Sequence, residues 1–297
     1  MDDKYRDFRS GYVALVGLPN VGKSTLLNQM LKYKISIISR RPQTTRKKVL
    51  GILTRDNYQI VFIDTPGLIE PGYALQERLV KYVERAIEDA DAIVYLVEAT
   101  EANPDIKVMR QNLAPVNKPV ILAINKIDLI PHGQLLPLIA GYGEAYEFSA
   151  IVPISALKDE GVEELLDEIR KVLPHSPPYY PPDMISDQQE RFFVAEIIRE
   201  KIFQLYGEEI PYSTHVEINE FKERPGEKDF IHATIYVERS SHKGIIIGKG
   251  GRALKRVGEY ARQEIEQFLG RPVFLELFVK VLENWRLKKS NLKMLGY

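Results

Sequence analysis

The sequence predicts an α/β domain built on a mostly parallel sheet, followed by a smaller α+β domain. Three observations carry this. Four short apolar runs in the first half, "YVALVG" (12–17), "YQIVFID" (58–64), "AIVYLVE" (92–98) and "PVILAIN" (119–125), alternate with helical stretches. Five prolines fall between Pro174 and Pro182. Beyond them the order of elements changes, with two strands preceding a helical pair and a last strand.

Each element has a local cause. The early runs are apolar almost throughout rather than at alternate positions, as strands covered on both faces require. Helical patterning fills 23–32, 75–89 and about 104–115, and "VEELLDEIRKVL" (162–173) repeats its apolar residues at the helical period. The turn-forming "RDN" inside "VLGILTRDNYQIVFID" predicts a hairpin, hence one antiparallel strand beside the parallel set. Proline lacks a backbone donor and disfavours helix before it. Residues 174–189 therefore read as a stiff linker belonging to neither core, between domains at 1–173 and 190–297. The second domain reads helix (190–206), strand (214–221), strand (229–239), helix-loop-helix (242–269), strand (272–282) and a basic helical tail. Trp285, near the last strand, is assigned to packing.

At 297 residues the chain suffices for two domains of ordinary size. Acidic and basic side chains balance at 41 each, which excludes a global polyelectrolyte, yet the charge is gathered in patches. Residues 239–258 hold six basic side chains (Arg239, Lys243, Lys249, Arg252, Lys255, Arg256) and no acid. The stretch "RRPQTTRKK" (40–48) holds five more, and the tail from Arg286 adds four. The lack of cysteine excludes disulfides and thiolate metal sites and suits a reducing compartment. The five histidines show no ligand spacing and are given no metal role. "MDDKYRDFRS" is too charged for a secretory signal and no apolar run reaches bilayer-spanning length, so a soluble, cytoplasmic protein is expected.

Two glycine-rich basic loops carry the chemistry. The first, Gly17, Leu18, Pro19, Asn20, Val21, Gly22, Lys23, Ser24, with Thr25 after it, matches G-x-x-x-x-G-K-[ST] between a strand and a helix. Backbone N–H groups there can curl around phosphates at the positive helix end. Lys23 is expected on the β and γ phosphates and Ser24 on Mg²⁺. Asp64, Thr65, Pro66, Gly67 and Leu68 follow a strand, with Asp64 suited to hold Mg²⁺ through water and the Gly67 N–H to meet the γ-phosphate. "NKID" ends another strand, where open α/β sheets bind ligands. Asp128 offers two acceptors to the N1–H and 2-amino donors of guanine. Adenine would face that carboxylate with an acceptor at N1, a mismatch costing roughly several kcal/mol. Asn125 would tie the loops together, Lys126 would lie over the base, and Ser155, Ala156 and Leu157 would aim the Ala156 N–H at guanine O6. Within "RRPQTTRKK" a threonine is needed to complete the Mg²⁺ shell and sense the γ-phosphate; Thr45 is the choice and Thr44 the alternative.

In this order the motifs resemble the GTPase superfamily over residues 11 to about 175. The resemblance implies a P-loop GTPase domain binding GTP or GDP with Mg²⁺. Where Ras-like members carry a water-orienting glutamine after D-x-x-G, this chain has Leu68, which implies slow intrinsic hydrolysis. Members with similar loops hold a potassium ion at the position of Asn20, which implies K⁺ as a further cofactor.

The second loop, Gly248, Lys249, Gly250, Gly251, lacks the Lys-Ser/Thr pair and offers G-x-x-G between two helices. It resembles the type II KH domain over about 190–283, whose loop clamps a nucleic-acid backbone beside an apolar groove. The resemblance assigns RNA contacts to Lys243, Gly244, Ile247, the four loop residues, Arg252, Lys255 and Arg256. A single GTPase domain, a proline-rich segment and a terminal KH domain together resemble the Era family of bacterial ribosome-assembly GTPases. This implies as partners the 3′ end of 16S rRNA and the 30S subunit, no DNA, and peripheral contact with the inner face of the cell membrane. Two rivals stand beside it: a protein-binding or membrane-associated signalling GTPase, and a P-loop kinase or ATPase, which Asp128 disfavours. The single Walker loop disfavours a tandem-domain Der-like arrangement.

Overall fold

The computed structural model describes residues 5–39, 41, 43–100 and 106–297, and of 106 and 107 the backbone only. It divides into two compact units. The first comprises residues up to Ser36, Thr45–Glu70 and Leu79–Asp187; the second comprises Ile37–Thr44, Pro71–Arg78 and Gln188–Tyr297.

In the first unit, β1 (Arg9–Gly17), β2 (Val49–Thr54), β3 (Tyr58–Asp64), β4 (Ala92–Glu98), β5 (Val120–Asn125) and β6 (Ala150–Pro153) form one sheet in the order β2-β3-β1-β4-β5-β6. Every pairing is parallel except β2 with β3, the hairpin that "RDN" predicts. The strands are buried almost end to end, as their apolar continuity requires. Helices α1 (Lys23–Leu31), α2 (Ala74–Asp89), α3 (Ile106–Leu113), α4 (Leu135–Ala145) and α5 (Val162–Val172) connect them. The expected start of α3 at 104 lies outside the described residues. Helix α4 has no counterpart in the sequence reading, because Pro137, Gly141 and Gly143 interrupt its periodicity.

The proline-rich stretch corrects one expectation. Residues 174–187 are not a tether outside both cores; they belong to the first unit. Gln59, fully buried on β3, fixes them through both ends of its amide. Its Oε1 accepts from the N–H groups of Tyr179 (2.7 Å) and Tyr180 (3.0 Å), and its Nε2 donates to the Tyr180 carbonyl at 2.9 Å. Tyr179 stacks on Tyr12 with ring centroids 5.5 Å apart. Further on, the Ile52 N–H donates to the Ile185 carbonyl at 2.7 Å and the Leu50 N–H to Asp187 at 3.2 Å, so the segment covers the open edge of β2. Prolines cannot donate to a ladder but can lie along such an edge.

In the second unit, β7 (His215–Lys222), β8 (Asp229–Val237) and β9 (Val273–Val281) form a sheet, β7 antiparallel and β9 parallel to β8. Helices α6 (Glu190–Leu205), α7 (Ser240–Ile247) and α8 (Arg252–Leu269) supply Val194, Ile198, Ile202, Ile246, Val257, Ala261 and Ile265 to its core. This helix-strand-strand-helix-helix-strand order is the expected type II KH arrangement, closed by a short α9 (Lys289–Met294). Trp285 is fully buried and donates its indole N–H to the Ser213 carbonyl at 2.9 Å, a packing role.

Candidate functional site

The first loop turns from β1 into α1 through Gly22, whose φ of 103° suits only glycine. A Cβ there would lie 2.2 Å from the Asn125 side chain. Asn125 uses that closeness to join three motifs. Its Nδ2 donates to the Val21 carbonyl at 2.8 Å, and its Oδ1 accepts from the N–H groups of Lys126 (2.8 Å) and Ala156 (3.0 Å). The Ala156 N–H expected at guanine O6 is therefore engaged by Asn125. Lys126, expected over the base, pairs with Glu98. One oxygen of the exposed Asp128 accepts from the Ser155 hydroxyl at 2.6 Å, which orients the carboxylate.

The phosphate end is organised around Asp64. Its Oδ2 accepts from Ser36 (2.9 Å), Thr45 (3.2 Å) and Ser24 (3.3 Å), and the Ser24 and Thr45 hydroxyls lie 3.2 Å apart. Its Oδ1 is buried with no hydrogen-bond partner. Burial pushes the Asp64 carboxyl above its ordinary range, and the hydroxyls and the Lys23 charge only partly oppose this. A buried carboxylate with an unused oxygen beside two hydroxyls fits a hard divalent cation. The geometry also separates the two threonines: Thr45 supplies the hydroxyl, whereas Thr44 offers its carbonyl to Arg199. Lys23 is buried with its ammonium on the carbonyls of Gly17 (3.0 Å) and Leu18 (2.8 Å), and desolvation lowers its pKa to about 8 despite the nearby Asp64. Thr65 donates to the Leu15 carbonyl (2.6 Å) and the Leu68 N–H to Gly17 (3.0 Å), which seats the "DTPGL" turn against the loop. Asn20 is exposed on the rim.

In the second unit, α7 ends at Gly248, with φ 68° and a would-be Cβ 2.6 Å from that of Ala253. A side chain built at Gly250 or Gly251 would meet nothing within 4 Å, so this backbone faces outward with the exposed Lys249, Arg252, Lys255 and Arg256. Arg252 donates to the Lys249 carbonyl at 3.2 Å. Ile246 enters the core while Ile245 stays half exposed.

A family model described as "50S ribosome-binding GTPase" matches residues 12–126, and one described as "KH domain" matches 209–286. The protein called GTPase Era in Clostridium botulinum (strain Hall) is 48% identical over 292 residues, covering 98% of both chains. The chain belongs to the Era family of GTPases. GTPase Era of Thermoanaerobacter sp. (strain X514) is 46% identical over 97% of this chain and 96% of its own. Among solved structures, Era in complex with MgGDPNP and nucleotides 1506–1542 of 16S ribosomal RNA matches at TM-score 0.94 and 46% identity, covering 98% of this chain and 99% of that one. An Aquifex aeolicus Era variant bound to GDP.AlF4- matches at 0.93.

Era-family membership accounts for both loops, and the structure adds residues that motif reading missed. Ser36 joins the Asp64 cluster because Asn28 of α1 accepts from the N–H groups of Ile35 (2.9 Å) and Ser36 (3.0 Å). No sequence spacing marks it. Glu98 could have been found as an acid ending a strand beside Lys126.

Proposed function

We propose that this chain is a GTP-hydrolysing switch that binds 16S rRNA during small-subunit assembly, working in the cytoplasm. The observation that carries the nucleotide half is the meeting of Ser24 and Thr45 on Asp64, whose second oxygen has no partner. The RNA half rests on the likeness to an Era solved with MgGDPNP and 16S RNA over 98% of this chain, together with the open space beside Gly250 and Gly251.

In this reading Ser24, Thr45 and Asp64 would hold Mg²⁺, which when bound would supply positive charge to the nucleotide phosphates. Lys23 leaves the carbonyls of Gly17 and Leu18 and donates to the same phosphates. The open oxygen of Asp128 takes the guanine donors. Hydrolysis breaks the bond to the γ-phosphate as water attacks in line, and Leu68 offers that water no hydrogen bond, so the unassisted rate is slow. Asn20, exposed on the loop, would help to hold K⁺, which when bound would add positive charge beside the phosphates. Equal hydrolysis in KCl and NaCl, unaffected by Asn20→Asp, would remove the potassium part.

Binding of a 3′-terminal 16S oligonucleotide, measured by filter retention with GDP and with GDPNP, tests the whole. The reading predicts salt-sensitive binding, abolished by Lys249→Asp plus Arg252→Asp, with affinities that differ between nucleotides. Binding to anionic vesicles that survives this double change, with no RNA binding, would support a membrane-associated GTPase instead. Among the described residues no helix is long and apolar enough to cross a membrane.

A further inference from the structure

We infer that Ser36, held in place by Asn28 of α1, is a positioning residue for Asp64 and sets how tightly the nucleotide site retains its divalent cation, given the reading of Asp64 as part of a Mg²⁺ site.

Asn28, Ser36 and Asp64 all lie in the first unit. Three hydroxyls donate to the same oxygen of Asp64: Ser36 at 2.9 Å, Thr45 at 3.2 Å and Ser24 at 3.3 Å. The other oxygen, Oδ1, is buried with no hydrogen-bond partner. Ser24 and Thr45 have a second task in this reading, since they are the hydroxyls assigned to the cation. Ser36 has no such task, and it makes the shortest of the three bonds.

Ser36 is also fixed from behind. The side-chain amide of buried Asn28 gives all its bonds to the backbone of two residues. Its Oδ1 accepts from the N–H groups of Ile35 (2.9 Å) and Ser36 (3.0 Å), and its Nδ2 donates to the Ser36 carbonyl at 2.8 Å. Both backbone polar groups of Ser36 are thus tied to one side chain of the helix that follows the phosphate loop. Apolar packing adds a further anchor. Ile35 is buried, and its Cδ1 lies 3.1 Å from where a Cβ at Gly51 of β2 would stand, so glycine there lets the residue before Ser36 bed against the sheet.

The last torsion of an aspartate is broad, so an unrestrained carboxylate swings about it. A rigidly mounted donor on Oδ2 removes that freedom and leaves Oδ1 pointing one way. Groups that hydrogen-bond a metal-holding carboxylate typically contribute about 10- to 100-fold to metal affinity. Ser36 touches neither nucleotide nor metal in this arrangement; it acts through Asp64, and Asn28 acts through Ser36.

The test uses the full-length protein and follows release of a fluorescent GDP against the concentration of free Mg²⁺. Ser36→Ala is expected to raise the Mg²⁺ concentration that half-maximally slows release about tenfold, while GDP affinity in EDTA stays within about twofold. A merely structural role would move both. Ser36→Thr keeps the hydroxyl and should recover most of the shift. Asn28→Ala should shift the midpoint in the same direction, because Ser36 is then free to turn. If Asn28→Ala does not fold, the two Ser36 variants decide the matter. An unchanged midpoint in Ser36→Ala would overturn the inference, as would an equal loss of GDP affinity in EDTA or a threonine variant as impaired as the alanine one. Ser24→Ala separates the two levels. If it leaves the midpoint unchanged, the reading of the Mg²⁺ site fails; if it raises the midpoint while the Ser36 and Asn28 changes do not, only the positioning role fails.

Discussion

The loops at 17–25 and 248–251 share glycine and lysine, and differ in where the lysine goes. Lys23 is buried and folded onto carbonyls, close to the cluster of Ser24, Thr45 and Asp64. Lys249 is exposed, followed by glycines with open space beyond them and by further exposed cations. The first arrangement suits a compact, highly charged group, whose interactions strengthen where water is excluded. Bare backbone and solvated charge of the second kind suit an extended polyanion, where affinity comes from neutralising phosphates. Composition alone would confuse the two; burial separates them.

The largest effect that would sharpen this contrast comes from Lys23→Ala. Nucleotide affinity should fall by about two to three orders of magnitude, while RNA affinity of the nucleotide-free protein is unchanged; calorimetry and filter binding check the two halves. Parallel losses would mean that the loops share a ligand. Next, Lys249→Asp plus Arg252→Asp should weaken RNA binding about a hundredfold and reduce the slope of log K against log salt by about 2, leaving GTP affinity intact.

A smaller effect follows from burial of Lys23, whose pKa lies near 8 in the free protein. A bound phosphate raises it, so binding favours the protonated form. Affinity is then full below pH 8 and falls as pH rises through it. Without added metal, GDP should bind about tenfold more weakly at pH 9 than at pH 7 and take up about half a proton at pH 8, read by calorimetry in buffers of different ionisation heat. The smallest effect comes from adding a methyl group at the second loop. Gly250→Ala meets no atom but sits at φ 61°, so a loss of about 1 kcal/mol in thermal stability and a few-fold in RNA affinity are expected. Gly22→Ala, which collides with Asn125, should be far worse for nucleotide.

Much of this was legible because it is local. Strands at 58–64 and 92–98 appear with the bounds that their apolar runs suggest, and the motifs stand at strand ends where the sheet brings them together. What stayed hidden depends on residues distant in sequence. Whether Thr44 or Thr45 turns its hydroxyl to Asp64 is a matter of one backbone rotation, which spacing cannot fix. The proline stretch reads as a tether until Gln59, over 100 residues earlier, is seen to fasten it.

The division of labour between the loops is tested most directly by a crystal structure of this protein with GDPNP, Mg²⁺ and a 3′-terminal 16S oligonucleotide. The account predicts the triphosphate against residues 17–25 with guanine on Asp128, and the RNA backbone against Gly248–Gly251. Nucleotide phosphates lodged at 248–251, or Asp128 turned from the base, would contradict it.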